Sequence, residues 1–176
     1  MSGSAAASGV RVPAAPAGTP EAVDAFKLAF RAHPAGIALI TAEGDDGPVG
    51  LTASSVASVA VDPLALAFSV TRATGSAGGI LRAPGFVVHL LGADHIALAE
   101  TFARSGTERF TPEQGWRRLP TGEPHLPGAR VAFRCRSLAV TPVGSSSLVL
   151  AEVLEVLPGE AGAAVVYHDR RFVPLE

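Results

Sequence analysis

The sequence predicts a mainly β protein with flanking helices, its largely antiparallel sheet curling into a barrel or a sandwich. Short apolar runs recur at close intervals: "GIALITA", "VGLTASSVASVAV", "LALAFSVT" and "FVVHLLG", then "ARVAFRCRSLAVTPV", "LVLAEVLEVL", "AAVVYH" and "RRFVPL". Turn-rich clusters such as "EGDDGP", "DP", "GSSS" and "PGEAG" separate many of them. Tight turns between successive strands favour antiparallel pairing, and many short strands at this spacing favour a barrel or sandwich.

Helical signals are few and local. Thr19 is a good N-cap, Pro20 suits the first helical position and Glu21 the first turn. Val23, Phe26 and Phe30 then recur at helical spacing as an apolar stripe, and Pro34 and Gly36 stop the helix. "SAGGILRAP" reads as a short helix stopped by Pro84-Gly85. In "DHIALAETFARSG", Asp94 is the expected cap and Gly106 the expected end, with Ile96, Ala99, Phe102 and Ala103 on one face. In "TPEQ", Thr111, Pro112 and Gln114 have the spacing of a capping box and present Trp116. "LPTGEPHLPGA" is a loop by composition.

Composition narrows the function classes. The 176 residues favour one domain, and 48% hydrophobic against 17% charged residues supports a sizeable core. Residues 1–18, small and Pro-rich, read as a disordered tail rather than a secretory leader, and residues 19–176 as the folded domain. The apolar runs are too short to span a bilayer, so no membrane association is expected. A formal charge of -2 gives no footprint for nucleic acid. Cys135 is the sole cysteine, which forbids an internal disulfide, suits a cytoplasmic protein and reads as a packed thiol.

Candidate chemistry is sparse. The five histidines, His33, His89, His95, His125 and His168, lack metal-site spacing, so no metal is expected. No serine occupies a G-x-S-x-G elbow, and "GSAGG" lacks the lysine of a phosphate loop. What stands out is "VGLTASSVASVAV", with hydroxyls at Thr52, Ser54, Ser55 and Ser58 inside an otherwise small and apolar run. A regular strand would point the adjacent Ser54 and Ser55 to opposite faces. Two readings stay open: small residues for tight packing, or hydroxyls and backbone N–H groups for a polar ligand.

The order "FRAHPAGIALITA", "GLTASSVASVAVDPLALAFSV", a Ser/Thr-Gly loop, "FVVHLLGADHIALAETFA", "RF", "GEPHLPGARVAFRCR" and "YHDRRFVPL" resembles the flavin reductase-like family. The similarity runs from about Glu21 to Leu175. It implies a split β-barrel that binds FMN or FAD, takes hydride from NADH or NADPH, works as a homodimer and supplies a partner monooxygenase. It further implies that Thr52, Ala53, Ser54 and Ser55 line the flavin, and that Ser58, Val59 and Ala60 follow against the ring. By the same resemblance Ser69, Arg72, Thr74 and Ser76 run towards the phosphate, and Phe110 matches a family aromatic. Packing is the alternative for Phe110, and a solvated charge for Arg72. No catalytic side chain is implied, because the cofactor carries the chemistry. Many members have Gly-Asp-His at a late turn where this chain has Gly144-Ser145-Ser146. His125 and His168 are the histidines left to approach such a site. A flavin-binding protein without nicotinamide-dependent activity is the alternative.

Overall fold

The computed structural model describes residues 10–175, so residues 1–9 of the expected tail lie outside the described residues. Helix α1 (Pro20–Arg31) starts as the sequence predicts: Thr19 caps it, its hydroxyl accepting the Ala22 N–H at 3.2 Å, and Pro20 opens the first turn. The helix stops at Arg31, short of Pro34. Strands β1 (Ala35–Gly36), β2 (Ala38–Gly44), β3 (Gly47–Ala53), β4 (Ala57–Val61) and β5 (Leu64–Thr71) follow. Then come helix α2 (Gly75–Arg82), strand β6 (Phe86–Leu90) and helix α3 (Ile96–Ala103). The chain ends in β7 (Arg117–Arg118), β8 (Pro124–His125), β9 (Val131–Val143), β10 (Ser146–Pro158), β11 (Val165–His168) and β12 (Arg171–Pro174).

Seven strands form one antiparallel sheet in the order β3-β2-β6-β9-β10-β5-β4. The run Val49–Val61 is therefore not a single strand. It breaks at Ser54–Val56, and its halves, β3 and β4, form opposite edges of the sheet. Three linking residues let Ala53 and Ala57 stand at most ~14 Å apart. A flat sheet of seven strands would hold its outer strands ~29 Å apart. The sheet must roll, and the short link is the seam at which it fails to close. Strands β1, β11 and β12 make a separate small sheet against this barrel, with Ala35 opposite Tyr167.

Strand β2 shows why its sequence is apolar almost throughout. Ala38, Ile40 and Ala42 enter the barrel interior with Phe68, Phe86 and Val149. Leu39, with Ile37 before it, joins a second core with Ala99, Phe102, Leu126 and Val165. A strand buried on both faces loses the alternation of a half-exposed one. Helix α3 seals the second core by close approach to β3: a Cβ on Gly50 would lie 2.7 Å from the Phe102 ring. Cys135 is a packed thiol of the first core, and burial pushes its pKa up to about 12.

Three local expectations are corrected. Asp94 does not cap α3: it lies in a 3₁₀ turn over Ala93–His95, and His95 is the cap position. The helix ends at Ala103 rather than at Gly106, and Ala103 is exposed, so the buried face reduces to Ala99 and Phe102 with Ile96 half-buried. The α1 stripe is also exposed, at 50% for Val23, 65% for Phe26 and 61% for Phe30, because the helix lies beside a groove instead of over a core. The Thr111–Gln114 capping box does form, with the Thr111 N–H donating to Gln114 Oε1 at 3.2 Å.

His89 is fully buried on β6. Its Nδ1 donates to the Leu39 carbonyl at 3.0 Å, and its Nε2 accepts the Leu126 N–H at 3.1 Å, which defines a neutral ring. Burial lowers its pKa from 6.5 to about 3. Between those values the unfolded chain binds the proton first, so stability falls with falling pH at about 1.4 kcal/mol per unit. Denaturant unfolding is expected to give about 2 kcal/mol less stability at pH 5 than at pH 7 from this group. The slope should flatten in His89→Gln; an unchanged slope would assign the acid sensitivity elsewhere.

Candidate functional site

The break at Ser54–Val56 opens into a groove with two lobes that share Ser54, Tyr167 and Arg170. The first lobe, about 520 Å³, has Thr52 and Ser54 on one wall and, on another, Glu100 of α3 and Arg104 just past its end. Tyr167, Arg170, Arg171 and Phe172 of the β11–β12 hairpin close it. The second lobe, about 860 Å³, runs from Ser54, Ser55 and Ser69 to Phe26 and Phe30 of α1. Residues 54–56 enter no strand ladder, so their backbone N–H groups have no ladder partners, and the exposed Ser54 lines both lobes.

Two of the four hydroxyls hold the seam itself. The Ser55 hydroxyl accepts the Ser69 N–H at 3.0 Å and donates to the Ser69 carbonyl at 3.2 Å. It replaces the backbone partner that β4 supplies further along β5. The Thr52 hydroxyl donates to the Ala99 carbonyl at 2.6 Å, which ties β3 to α3 while the residue still lines the first lobe. Packing and ligand readings thus meet in the same side chains.

The other sequence-predicted residues disperse. Ala53 is buried in the barrel core. Ser58 and Ala60 line a third, apolar cleft of about 270 Å³ at the split, and Val59 is exposed. Arg72 (φ +58°) and Thr74 sit exposed between β5 and α2, and the Arg72 N–H donates to the Ser145 carbonyl at 2.8 Å. This bond sets the Gly144-Ser145 turn beside the Arg72 loop. Phe110 packs against Phe102 and Trp116 in the second core, at ring separations of 5.1 and 5.0 Å. His125 stacks on His89 at 5.8 Å, whereas His168 is exposed beside the turn of the hairpin that walls the groove.

Several groups of the site lie in or beside the quoted pattern but were given no role by it. Tyr167, Arg170, Glu100 and Arg104 reach the groove through tertiary folding alone. Arg109 acts as a clamp behind it. Its Nη1 donates to the Gly50 carbonyl at 2.9 Å and to the Ser76 hydroxyl at 3.1 Å, its Nη2 bonds the Arg104 carbonyl, and its guanidinium lies 5.3 Å from the Phe102 ring centre. The only signal for it was the "RF" of the wider pattern.

The model of the flavin reductase like domain matches residues 30–176. The chain belongs to that family. Within it, the protein of Rhodococcus qingshengii named NADH:FMN oxidoreductase is 36% identical over 151 residues, 84% of this chain and 79% of the relative. The reductase component of an FADH(2)-dependent resorcinol hydroxylase from Rhizobium sp. (strain MTP-10005) is 31% identical over 151 residues, 84% of each chain. The crystal structure of a flavin reductase domain protein from Arthrobacter sp. FB24 superposes with a TM-score of 0.81 at 30% identity, covering 88% of this chain and 96% of that one. For this flavin reductase-family chain the split barrel expected from the sequence is the fold observed.

The seam lock is testable apart from any ligand. Ser55→Ala leaves both backbone groups of Ser69 without their partner and is expected to cost about 1 kcal/mol. Hydrogen exchange at the Ser69 amide should accelerate in step; unchanged protection would remove the hydroxyl from the lock.

Proposed function

We propose that the chain is an NAD(P)H:flavin oxidoreductase that passes reduced FMN or FAD to a separate monooxygenase. The observation that carries this is the seam, where hydroxyls and unladdered N–H groups meet a groove walled by aromatic and cationic side chains. The relatives named for NADH:FMN oxidoreduction and as the reductase component of a hydroxylase support it.

The residues present suit a flavin. Ser54 and the N–H groups of Ser54–Val56 offer donors and acceptors without a fixed charge, as a heterocycle edge with mixed polarity requires. Arg72, Thr74 and Ser76, at the start of α2, are the groups we assign to a ribityl phosphate, with Arg109 positioning Ser76. Bound flavin supplies the hydride acceptor. The chain's work is then to hold two rings in register, donate hydrogen bonds where negative charge grows, and keep bulk out of the approach with the small side chains of Ser54 and Ser55. None of these tasks needs a nucleophile.

One observation favours a second reading, a flavin-binding protein without nicotinamide-dependent turnover: Ser145 and Ser146 stand where the resemblance expects Asp and His. Mixing protein, FMN and NADH or NADPH without oxygen separates the two. Bleaching of the oxidised flavin band is expected with at least one nucleotide; flavin binding without bleaching would leave the second reading. In Thr52→Val with Ser54→Ala, flavin affinity should fall by about tenfold, the equivalent of one or two lost hydrogen bonds, with the fold intact.

A homodimer and a cytoplasmic location complete the proposal. The apolar cleft at the split is rimmed by Val61, Leu64 and Val156, exposed at 83%, 46% and 52%, a patch suited to a second copy. No helix among the described residues is long and apolar enough to cross a membrane. Sedimentation is expected to give twice the chain mass, and Val61→Glu should shift it towards monomer; a monomeric parent protein would refute the dimer.

A further inference from the structure

The turn joining β11 to β12 has two consecutive non-glycine residues in the left-handed region, Asp169 (φ +49°) and Arg170 (φ +62°). Two-residue hairpin turns of this kind favour Asn-Gly or Asp-Gly, because glycine alone meets the second position without strain. Asp169 is accounted for. Its carboxylate accepts Arg31 Nε at 2.5 Å and its N–H donates to the Arg31 carbonyl at 2.9 Å, which fixes the hairpin tip to the end of α1. Arg170 has no such account. Among the described residues its guanidinium makes no ion pair or hydrogen bond, yet the side chain lines both lobes of the groove. A strained residue held at the rim of a cleft points to use of its side chain.

Its neighbours define what that use is. Arg171 lines the same lobe, and so does Arg104 at the end of α3. Against these three guanidinium groups the lobe holds one carboxylate, Glu100, paired with Arg104 at 3.6 Å. The excess of positive charge is local, since the whole chain carries a formal -2. Guanidinium groups converging on a cleft bind phosphate oxygens, in pairs where the geometry allows. The lobe's volume of about 520 Å³ lies in the range of small-molecule sites. The flavin's own phosphate is assigned to the Arg72–Ser76 segment that follows β5, whose residues do not line this lobe, which leaves the hairpin arginines for the other phosphate-bearing reactant.

We infer that Arg170, together with Arg171 and Arg104, seats the diphosphate of the nicotinamide dinucleotide in the lobe walled by Thr52 and Ser54. This rests on the reductase reading above, and its direct test does not need turnover. ADP-ribose, which carries the diphosphate without the nicotinamide, is titrated by calorimetry into the full-length protein and into Arg170→Gly and Arg171→Ala. The parent protein should bind it, more weakly as salt rises. Each variant should lose at least fivefold in affinity, with a matching rise in KM for NADH and less than a twofold change for FMN. Arg170→Gly should meanwhile melt about 2–4 °C higher, because glycine relieves the left-handed strain. A more stable variant that binds its ligand less well separates a retained binding group from a structural one.

Unchanged ADP-ribose affinity and unchanged KM for NADH in both variants would overturn the inference. So would a loss confined to FMN and absent with riboflavin, which would place the flavin phosphate at the hairpin. Failure of the broader reading looks different: the parent protein would then oxidise neither NADH nor NADPH with flavin present, while the ADP-ribose titration would still report on the arginine seat.

Discussion

Everything in this molecule follows from three residues having to join the two ends of a sheet. Ser54–Val56 connect β3 to β4 across a distance that no flat sheet of seven strands permits. The interior of the roll becomes the first core, and its outer surface at β2 becomes the floor of the second. At the seam backbone groups leave the ladder beside well-buried strands, so a ligand can be met there by main chain and hydroxyls at once. Ser55 shows the economy of the arrangement: a single hydroxyl supplies both bonds that the missing strand would have given Ser69.

The groove beside the seam is built by parts of the chain far apart in sequence. Helix α3 comes close because Gly50 has no side chain to obstruct Phe102, and Arg109 binds the Gly50 carbonyl from behind. The β11–β12 hairpin is held over the opening by Arg31 and Asp169, one bond between side chains and one between backbones. The resulting walls differ in character: hydroxyls on β3, aromatic rings and guanidinium groups on the hairpin, bare apolar rings on α1. Such a site selects by shape and charge. It leaves bond making to whatever redox group it holds.

Legibility followed the range of the interaction. Features set by a few neighbouring residues were readable: the Thr19-Pro20 start of α1, the Thr111–Gln114 box and the strand runs all formed where the local chemistry put them. The hydroxyl-rich run was correctly singled out, but its break was not foreseen, since β-branched and small residues continue through Val56 with no turn signal. Asp94 failed as a cap because a 3₁₀ turn came first. The apolar stripe of α1 was readable but its exposure was not, as periodicity reports that a helix is amphipathic without naming what covers it. Arg170 was invisible for a different reason. Only its backbone angle, together with the lack of a partner among the described residues, distinguishes it from any other surface arginine.

The segment "LPTGEPHLPGA" has the proline and glycine content of a loose connector, yet it is among the better anchored parts of the molecule. Glu123 is buried against Arg134 at 3.0 Å, in space that Gly85 leaves open: a Cβ there would come within 2.5 Å of the carboxylate. The Pro124 carbonyl accepts from buried Thr41, and the Leu126 N–H donates to His89. Proteases need several residues of extended, detachable chain, and here detaching them would strand a carboxylate and two hydrogen-bonding groups inside the protein. A stretch whose composition advertises a cleavage site is thus one that an enzyme reaches only after the barrel has come apart.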